Sequence, residues 1–402
     1  MSTPRIAARI RRIKPSPSSA AAERAATLRR EGKKIVNLVV GEPDFDTPEH
    51  IRRAAYEAME RGDTRYTATA GTPALRQAIA EKLSRENGLD YDPAHIIVTC
   101  GAKHAIFNAL AVTVDTGDEV LIPAPYWVSY PDMALACDGT PVIVPTTEEQ
   151  DFKLDAQTLA RYITPKTRWL MLNSPTNPTG ATYSPEELRA LADVLLDHPR
   201  VLILTDDIYE HIRYDGRKMR HLLHVEPALR DRVVVINGVS KTYAMTGWRI
   251  GYAAGPADIV AALDKLQSQS VSNACTISQA AALAALTGDQ SFVAESVRIY
   301  ERRRNRAVEL LNKIPGLSCK APGGAFYLFV NCAGLIGRTT PAGKTLENDS
   351  DIVLYFLETV GVALIAGSAY GTPNYFRASI ATSIEIIEEG CDKLAHAVSE
   401  LK

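Results

Sequence analysis

Residues 233–252 of the chain read VVVINGVSKTYAMTGWRIGY, and this stretch decides the fold. Its first four residues are apolar and β-branched, which predicts a buried strand. Asn237-Gly238 predicts a turn, and Lys241 follows where the backbone leaves the sheet. Arg249, a little further along, can hold an anion. A flexible amine near a guanidinium suits covalent imine chemistry on a phosphorylated carbonyl compound, and a solvated surface lysine is the alternative.

Apolar runs of the same form come earlier in the chain, and each ends in a polar or glycine-bearing turn. The runs are 96–99, 120–123, 169–172 and 201–204. The turns after them contain, in order, Gly101-Ala102-Lys103, Trp127, Asn177 and Asp206. Helical patterns alternate with these runs, which predicts an α/β fold with a mostly parallel sheet covered on both faces. Ligands of such sheets bind beyond the carboxyl ends of the strands, so the unusual residues in these turns should form one site.

Length and composition limit the class of protein. A chain of 402 residues can bury a large core and should form two lobes. The net charge of −2 favours neither nucleic acid nor an anionic membrane as partner, and no apolar run reaches membrane-spanning length. Six scattered cysteines without a CxxC pair predict reduced, mostly buried thiols in a cytoplasmic protein.

Local patterns outside the apolar runs predict the nature of the N-terminal segment, one further strand and several helices. The basic N-terminus, 1–34, has the composition of a transit peptide, but Glu23 and Glu31 argue against one, and we expect a short helix and an extended arm that packs on another subunit. Residues 35–48 predict a strand that ends in a turn. Helices are expected from Pro48 to Glu60, up to about Asn87, through Val114, and at 292–313 and 350–359.

Beyond the charged helix at 292–313 the pattern changes to a smaller α+β unit. Its strands are expected at 325–330, 362–365 and 375–380. The predicted domains are an N-terminal arm with part of the small domain at 1–47, a large domain at 48–295 and a small C-terminal domain at 296–402.

Four residues near the strand ends suggest how an aromatic ligand would be held. Asp206 follows a purely hydrophobic strand, so its carboxylate should be buried and needs a partner. That partner is either the backbone, as for a structural aspartate, or a protonated heterocycle. Tyr209 and Asn177 are placed to bond a phenolic oxygen, although Asn177 also suits a simple turn. Trp127 offers a flat face for stacking or fills the core.

Two further positions suggest anion sites. Gly101-Ala102-Lys103 opens a helix, whose free backbone N–H groups attract a phosphate. Arg377, on a late strand, can clamp a carboxylate with two parallel hydrogen bonds, or it forms a surface salt bridge. Together with Lys241, these residues describe a site for a phosphorylated, protonated, phenol-bearing aromatic ring beside an amine.

Other motifs are absent or misleading. No GxGxxG fingerprint occurs. Residues 337–345 imitate a phosphate-binding loop, but the glycine spacing is wrong and no parallel strand precedes them, so a surface loop is predicted. His221 and His224 have the spacing of helical metal ligands, yet no third ligand is evident. We predict a solvated histidine pair and no metal.

Five motifs carry a family resemblance. They are Gly-Glu-Pro-Asp-Phe-Asp-Thr-Pro from Gly41, Asn-Ser-Pro-Thr-Asn-Pro-Thr-Gly from Asn173, Asp-Asp-Ile-Tyr-Glu from Asp206, Ser-Lys-Thr-Tyr-Ala-Met-Thr-Gly-Trp-Arg-Ile-Gly-Tyr from Ser240 and Gly-Gly-Ala-Phe-Tyr from Gly323. In this order they resemble class I pyridoxal-phosphate aminotransferases over nearly the whole chain. The similarity is closest to the bacterial aspartate aminotransferase branch that includes aspartate/prephenate aminotransferases. It implies pyridoxal 5'-phosphate, fold type I with a seven-stranded type of sheet, and a homodimer with shared active sites.

The resemblance also implies a role for each matching residue. Lys241 would bond covalently to the cofactor and act as acid and base, Asp206 would pair with the ring nitrogen, and Tyr209 would contact the ring hydroxyl. The remaining expected cofactor contacts are Gly101, Ala102, Lys103, Trp127, Asn177, Ser240, Arg249 and, from the other subunit, Tyr66. The expected substrate contacts are Gly41, Trp127, Asn177, Arg377 and, for a distal carboxylate, Lys103 assisted by Ser16 and Ser18.

Some positions depart from the family pattern. Ala102 stands where glycine is common, Ala366 where proline is usual and Ile380 where an aromatic residue is usual, and Pro-Gly-Gly-Ala-Phe at 322–326 replaces a frequent Ser/Glu-Gly-Ala-Phe. None of these departures removes a cofactor contact, but they leave the substrate side less constrained.

The function implied is transfer of an amino group from an amino acid, preferably L-aspartate, to 2-oxoglutarate in a ping-pong cycle. Transamination of prephenate or another amino acid is an alternative, and so is a different outcome on the same scaffold, such as β-elimination or oxidation. A non-catalytic regulatory domain is disfavoured, because the lysine is present and no DNA-binding segment is fused to the chain.

Overall fold

The structure is a computed structural model that describes residues 5–402, without the side chain of Ser18. Fourteen α-helices are found in this part of the chain: α1 Ala8–Arg12, α2 Pro17–Arg30, α3 Glu49–Glu60, α4 Pro73–Asn87, α5 Ala102–Thr113, α6 Tyr130–Ala136, α7 Ala156–Tyr162, α8 Pro185–Leu196, α9 Leu222–Val225, α10 Ala257–Ser270, α11 Thr276–Thr287, α12 Ser291–Leu311, α13 Asp349–Val360 and α14 Ile384–Ser399. None of the helices in residues 5–402 is long and apolar enough to cross a membrane.

The same part of the chain contains twelve β-strands. They are β1 Val36–Asn37, β2 Ile96–Thr99, β3 Glu119–Ala124, β4 Thr140–Pro145, β5 Thr167–Asn173, β6 Leu202–Asp206, β7 Val233–Gly238, β8 Gly251–Ala254, β9 Tyr327–Asn331, β10 Val362–Ala363, β11 Ile365–Ala366 and β12 Tyr375–Ser379. Three sheets result: a seven-stranded sheet, a three-stranded sheet in the order β11-β12-β9, and the pair β1-β10.

The seven-stranded sheet has the order β2-β8-β7-β6-β5-β3-β4. Every neighbouring pair is parallel except the two pairs that include β8. The predicted α/β class with a mostly parallel sheet is therefore confirmed. Because β8 runs against the other six strands, its first residue, Gly251, lies at the same edge as the carboxyl end of β7, where it faces Gly238.

Alternation within each apolar run explains why both faces of this sheet are covered. In β7, Val233 and Val235 face one hydrophobic cluster, whereas Val234 and Ile236 face another on the opposite side. Since all four side chains are almost fully buried, such a strand reads as a continuous apolar run. Burying a side chain of this size contributes about 1.5–3 kcal/mol, which makes these strands the rigid frame for the loops at their ends.

Helix starts follow recognisable caps. Ser184 and Glu187 form a capping box at the start of α8, and Pro185 occupies its first turn. Helix α4 begins at a Thr72 cap whose hydroxyl accepts the N–H of Leu75. Both caps place the first helical residue directly after a loop.

The C-terminal part packs around a separate apolar cluster that includes Tyr300, Phe326, Phe356 and Phe376. Strand β1 pairs in parallel with β10, so the N-terminal segment near Val36 belongs to this cluster in space. The domain boundaries proposed from the sequence stay a prediction.

The expectation of an extended N-terminal arm is wrong for residues 5–34. Apart from α1, this segment forms the 14-residue helix α2, which buries Ala25 and Leu28. Ser16 caps its start and Pro17 occupies its first turn. An alanine-rich run after such a cap favours a helix over an extended arm, because alanine has the highest helix propensity. Packing on another subunit stays a prediction.

Other sequence expectations also differ from the structure. The strand expected over 35–48 is reduced to β1, and neither β4 nor β8 was predicted. The predicted solvated histidine pair is wrong, because His221 is buried and contacts Thr205, while His224 is exposed. Residues 337–345 do form a largely exposed loop, as expected, and all six cysteines are free, with three of them buried.

Gly251, the first residue of β8, packs against the start of α5, which borders the candidate site. A Cβ at Gly251 would lie 2.2 Å from the Ala102 nitrogen and 2.4 Å from the Gly101 carbonyl carbon. Both atoms belong to the backbone and cannot rotate away. We expect Gly251→Ala to lower the free energy of unfolding in urea by at least about 2 kcal/mol, because overpacking displaces the start of α5.

The matched control is Gly247→Ala, since a Cβ at Gly247 would meet nothing within 4 Å. Its free energy of unfolding should stay within about 0.5 kcal/mol of the parent. Equal effects of the two substitutions would contradict the close packing of β8 on α5.

Candidate active site

A cavity of about 560 Å³ opens at the carboxyl edge of the seven-stranded sheet. Eleven of the residues predicted for the site line it: Gly41, Ala102, Lys103, Trp127, Asn177, Asp206, Tyr209, Ser240, Lys241, Arg249 and Arg377. They come from the segments after β1, β2, β3, β5 and β7, from the end of β6 and the loop after it, and from β12. The structure therefore brings these predicted residues together in one cavity.

Lys241 follows the end of β7, where Gly238 packs closely against the start of β8. Its Nζ donates a hydrogen bond of 2.7 Å to the carbonyl oxygen of Gly41. Burial lowers the pKa of Lys241 to about 8, and the positive charges of Arg249 and Arg377 act in the same direction. A lysine with this pKa supplies a neutral, nucleophilic amine at far lower pH than a surface lysine does.

Asp206 ends β6 and is buried, as its position after an apolar strand predicted. Tyr130 donates a hydrogen bond of 2.7 Å to its Oδ2, and the Asn173 side chain donates one of 2.7 Å to its backbone oxygen. Burial raises the pKa of Asp206 to about 6, although the bond from Tyr130 and the charge of Lys241 oppose this rise. The carboxylate therefore lacks a full counter-charge among the described residues.

Tyr209 lies one turn beyond Asp206 and points its hydroxyl into the same cavity. It shares a hydrogen bond of 2.9 Å with the hydroxyl of Tyr327. Burial raises the pKa of Tyr209 well above its ordinary value, so the phenol stays protonated and remains a hydrogen-bond donor. Tyr327, which follows the Gly-Gly-Ala-Phe motif on β9, was quoted in the sequence motif but was not assigned to the site.

Arg377, on β12, brings a buried guanidinium to the side of the cavity opposite the helix start. Its Nη2 donates 2.7 Å to the Val39 carbonyl, and its Nη1 donates 3.2 Å to the Asn177 side chain. The guanidinium carbon lies 4.3 Å from the ring centroid of Tyr327. Its Nε is buried without a hydrogen-bond partner in the described part of the chain, which leaves bonding capacity for an anion.

The start of α5 lies beside the guanidinium of Arg249, an arrangement that suits an anion. The first N–H groups of a helix lack intrahelical partners, so Ala102 and the next residue present free donors. Gly101 has φ of +89°, and a Cβ there would lie 2.3 Å from Arg249 Nη2. Only glycine therefore lets the guanidinium approach the helix start, where Arg249 also bonds the Cys100 carbonyl at 3.2 Å.

Lys103 and Trp127 form the outer wall of the cavity. The Lys103 Nζ lies 4.8 Å from the Trp127 ring centroid, which is a cation–π contact. Burial lowers the pKa of Lys103, and the neighbouring Arg249 contributes to the same shift. Trp127 packs edge-on against Tyr130, with ring centroids 5.4 Å apart.

Tyr66 and Ser16 are not brought into the cavity of this chain. Tyr66 is 89% exposed and does not line it, so a contribution to the site of another subunit stays a prediction. Ser16 caps α2, where its hydroxyl accepts the N–H of Ser19. The side chain of Ser18 lies outside the described part of the structure, and it is Ser19 that lines the cavity. Gly101 borders the cavity through its contact with Arg249.

Sequence reasoning missed other residues that line or support the cavity. They are Ser19, Asn37, Glu42, Asn173, Thr246, Tyr327 and, behind Asp206, Tyr130. Glu42, Asn173 and Tyr327 stand inside motifs that were recognised, so they could have been found from the motif pattern. Tyr130 and Ser19 carry no local signal, because only the fold brings them to the site.

Comparison with known proteins agrees with this geometry. The family model described as "Aminotransferase class I and II" matches residues 33–394. A probable aspartate/prephenate aminotransferase of Rhizobium leguminosarum bv. phaseoli is 51% identical over 383 residues, which cover 95% of this chain and 96% of the relative. An aspartate aminotransferase of Rhizobium meliloti (strain 1021) is 50% identical over 378 residues, 94% of this chain and 92% of the relative.

Solved structures agree as well. The crystal structure of the aspartate aminotransferase from Rhizobium meliloti covers 100% of both chains with a TM-score of 0.97 and 48% identity. The Thermus thermophilus aspartate aminotransferase with maleate covers 98% of this chain and 100% of its own, with a TM-score of 0.92 and 39% identity. Fold and cavity thus define an enzyme that transfers amino groups. The chain belongs to the class I and II aminotransferase family, and the fold type I expected from the resemblance is confirmed.

The raised pKa of Asp206 makes a stability prediction for the cofactor-free protein. Because its folded pKa of about 6 exceeds the ordinary 3.8, the folded state binds more protons between these values, and stability falls as pH rises through this window. The cost above pH 6 is about 3 kcal/mol. We expect cofactor-free Asp206→Asn to be more stable than the parent at pH 7.5 and similar to it near pH 4.

Urea unfolding at both pH values measures the difference between parent and variant. The matched control is Asp231→Asn at an exposed position, which should change the free energy of unfolding by less than about 0.5 kcal/mol at either pH. A cofactor-free Asp206→Asn protein that is less stable than the parent at pH 7.5 would contradict a desolvated carboxylate.

Proposed function

We propose that this enzyme transfers the amino group of L-aspartate to 2-oxoglutarate with pyridoxal 5'-phosphate as its cofactor. The single observation that carries the proposal is the meeting of three groups in one cavity: the amine of Lys241, the buried carboxylate of Asp206 and the guanidinium of Arg377. The aspartate aminotransferases among the relatives support the same reaction.

The donors at the start of α5 fit the phosphate of this cofactor. Ala102 offers a helix-start N–H, Ser240 a buried hydroxyl and Arg249 a guanidinium, and all three line the cavity. Gly101 keeps the space between helix start and guanidinium open, since a Cβ would fill it. A dianionic group is therefore met by a cation, a helix terminus and neutral donors.

The polar and aromatic side chains of the cavity fit the pyridine ring of the cofactor. Asp206 is a buried carboxylate without a full counter-charge, and a protonated ring nitrogen would supply one. Tyr209 and Asn177 would hold the ring hydroxyl through an O–H and an amide, and Trp127 would stack on the ring; all three line the cavity. When bound, pyridoxal phosphate supplies an electron-accepting aromatic ring and an aldehyde carbon that takes up the amino group.

Lys241 is proposed as the residue that moves protons. Its pKa of about 8 leaves a useful fraction of neutral amine at neutral pH. Once substrate has entered, Nζ is placed to take the proton from the substrate Cα and to return it as a general acid. The bond of Nζ to the Gly41 carbonyl holds the amine in the cavity before substrate arrives.

Arg377 is proposed to bind the α-carboxylate of the amino acid. A guanidinium presents two parallel N–H groups to a carboxylate, a geometry that lysine cannot copy. Burial of Arg377 and the cation–π contact with Tyr327 hold the group in place. The Asn177 side chain, which accepts from Nη1, would take part in the same contact.

Lys103 is proposed to bind the distal carboxylate of a dicarboxylic substrate. A charge buried in a cavity needs an opposite charge, and Lys103 is a cation in the lining that is not committed to an ion pair with a described carboxylate. The structure of the Thermus thermophilus relative was solved with maleate, which is itself a dicarboxylate. Ser19, on α2, offers a nearby hydroxyl.

Prephenate is a second candidate substrate. Several relatives are named aspartate/prephenate aminotransferases, and prephenate also carries a second carboxylate that Lys103 could meet. We further propose a homodimer in which Tyr66 reaches the phosphate of the partner's cofactor. The support is its position: the phenol is 89% exposed, and the Thr276 hydroxyl anchors the adjacent Arg65 carbonyl at 2.7 Å.

Replacing the amine tests the central role of Lys241. We expect Lys241→Ala to lower kcat for glutamate formation from aspartate and 2-oxoglutarate by at least about 10⁴-fold, because both the general base and the covalent anchor are lost. Borohydride reduction followed by mass spectrometry should find the cofactor attached to the parent peptide that contains Lys241. The exposed Lys265→Ala serves as the matched control and should keep parent activity. Near-parent turnover of Lys241→Ala would refute the role.

Substrate choice tests the role of Lys103. The parent should prefer aspartate over alanine and tyrosine. Lys103→Ala should lower kcat/KM for aspartate by about 10- to 100-fold, the worth of one charge-assisted hydrogen bond, with a smaller effect on the two monocarboxylic substrates. Lys103→Arg keeps the charge and should retain more of the aspartate activity. A parent that prefers alanine or tyrosine, or an equal loss on all three substrates, would exclude the acidic-substrate role.

A further inference from the structure

The two oxygens of the Asp206 carboxylate have unequal surroundings. Oδ2 accepts a short bond of 2.7 Å from the hydroxyl of Tyr130. Among the described residues, Oδ1 accepts only the backbone N–H of Ile208 at 3.4 Å, which is a weak interaction. The backbone carbonyl of Asp206 is held separately by the Asn173 side chain. The carboxylate is therefore fixed at one oxygen and has bonding capacity left at the other.

Tyr130 stands behind this carboxylate and does not line the main cavity. It is the first residue of α6, and its side chain is buried. Its ring meets Trp127 edge-on, and Trp127 does line the cavity. Tyr130 is thus in contact with one residue proposed to pair with the cofactor ring and with another proposed to stack on it, without reaching the ligand itself.

We propose that Tyr130 is a positioning residue whose hydroxyl holds Oδ2 of Asp206, turns Oδ1 toward the cavity and keeps the carboxylate ionised as the counter-ion of the cofactor ring nitrogen. This inference rests on the proposed cofactor. In this proposal the ionisation of Asp206 depends on Tyr130, which is 76 positions away in the chain.

The physical basis is competition between burial and hydrogen bonding. Burial favours the neutral acid, whereas a hydrogen bond donated to the carboxylate favours its charged form. Tyr130 remains a donor, because burial and the negative charge of Asp206 raise its own pKa well above the ordinary value. A single neutral donor thus retains the charge that Asp206 needs to pair with a cation.

The other titratable groups around Asp206 do not replace the Tyr130 hydroxyl as the group that keeps the carboxylate ionised. Lys241, on the loop after β7, favours the carboxylate, but in the proposed enzyme its amine is bonded to the cofactor. Asp207 and Tyr209, on the loop after β6, have pKa values raised well above ordinary by burial and carry no positive charge. Without the Tyr130 hydroxyl, Asp206 would take up a proton more readily and would compete with the ring nitrogen for it.

The test uses the cofactor-free protein first. The infrared C=O band of a protonated carboxylic acid, taken as the difference between each protein and its Asp206→Asn counterpart, reports the protonation of Asp206 alone. We expect Tyr130→Phe to move the midpoint of this titration upward by about 1–2 pH units, the worth of one hydrogen bond to a charged group. The matched control is Tyr183→Phe, whose buried hydroxyl instead accepts the N–H of Leu154, and its midpoint should equal that of the parent.

A second variant tests the opposite direction and covers a failure of Tyr130→Phe to fold. Incorporation of 3,5-difluorotyrosine at position 130 makes the hydroxyl a stronger donor, so the midpoint should move downward. In the loaded enzyme, ¹⁵N NMR of the labelled ring nitrogen should show less protonation in Tyr130→Phe, and kcat for aspartate should fall while KM changes little.

The results test two separate claims: that Tyr130 keeps Asp206 ionised, and that Asp206 pairs with the cofactor. An unchanged midpoint in both Tyr130 variants, or an equal shift in Tyr183→Phe, would overturn the role of Tyr130. If the midpoint moves as expected but neither Tyr130→Phe nor Asp206→Asn changes the ring nitrogen signal, the role of Tyr130 toward Asp206 stands and the proposed pairing of Asp206 with the cofactor is wrong.

Discussion

The burial of the Asp206 carboxylate is the constraint on which the rest of the site depends. A desolvated charge at the end of a central strand is costly unless partners meet it. Tyr130 meets one carboxylate oxygen, Asn173 fixes the adjacent backbone, and Lys241 supplies a nearby positive charge. None of these cancels the cost of burial, so Asp206 keeps a raised pKa of about 6. The buried carboxylate therefore remains available to pair with a cationic ligand atom.

The cationic side of the cavity depends on one segment near the N-terminus. Val39 and Gly41 accept hydrogen bonds from Arg377 and Lys241 through their backbone carbonyls. The same segment is anchored where Asp44 accepts two bonds of 2.8 Å from the guanidinium of Arg303 on α12. Residues 39–44 thus connect the loop that carries Lys241 with the C-terminal strand that carries Arg377.

Much of the fold was predictable because buried parallel strands and capped helices leave strong local patterns. The two strands that were not predicted, β4 and β8, lack such patterns. Strand β4 is an edge strand with proline at 141 and 145, and proline is a signal against a strand. Strand β8 has only four residues and contains glycine and alanine, which have low strand propensity. Residues 17–30 form a helix where an extended arm was expected, because the Ser16 cap and the alanine-rich run after it favour a helix.

The sequence by itself determined the family, the mostly parallel sheet and half of the residues that line the cavity. Lys241 and Asp206 were predictable because they stand in motifs that follow apolar strands, and Arg377 because it lies on a late predicted strand. Only the tertiary structure decided that Tyr130 bonds Asp206 and that Tyr327 bonds Tyr209. These partners are far apart along the chain, and a tyrosine carries no local mark of the group it will meet. Burial and hydrogen bonding between distant segments arise from packing, which no short stretch of sequence records.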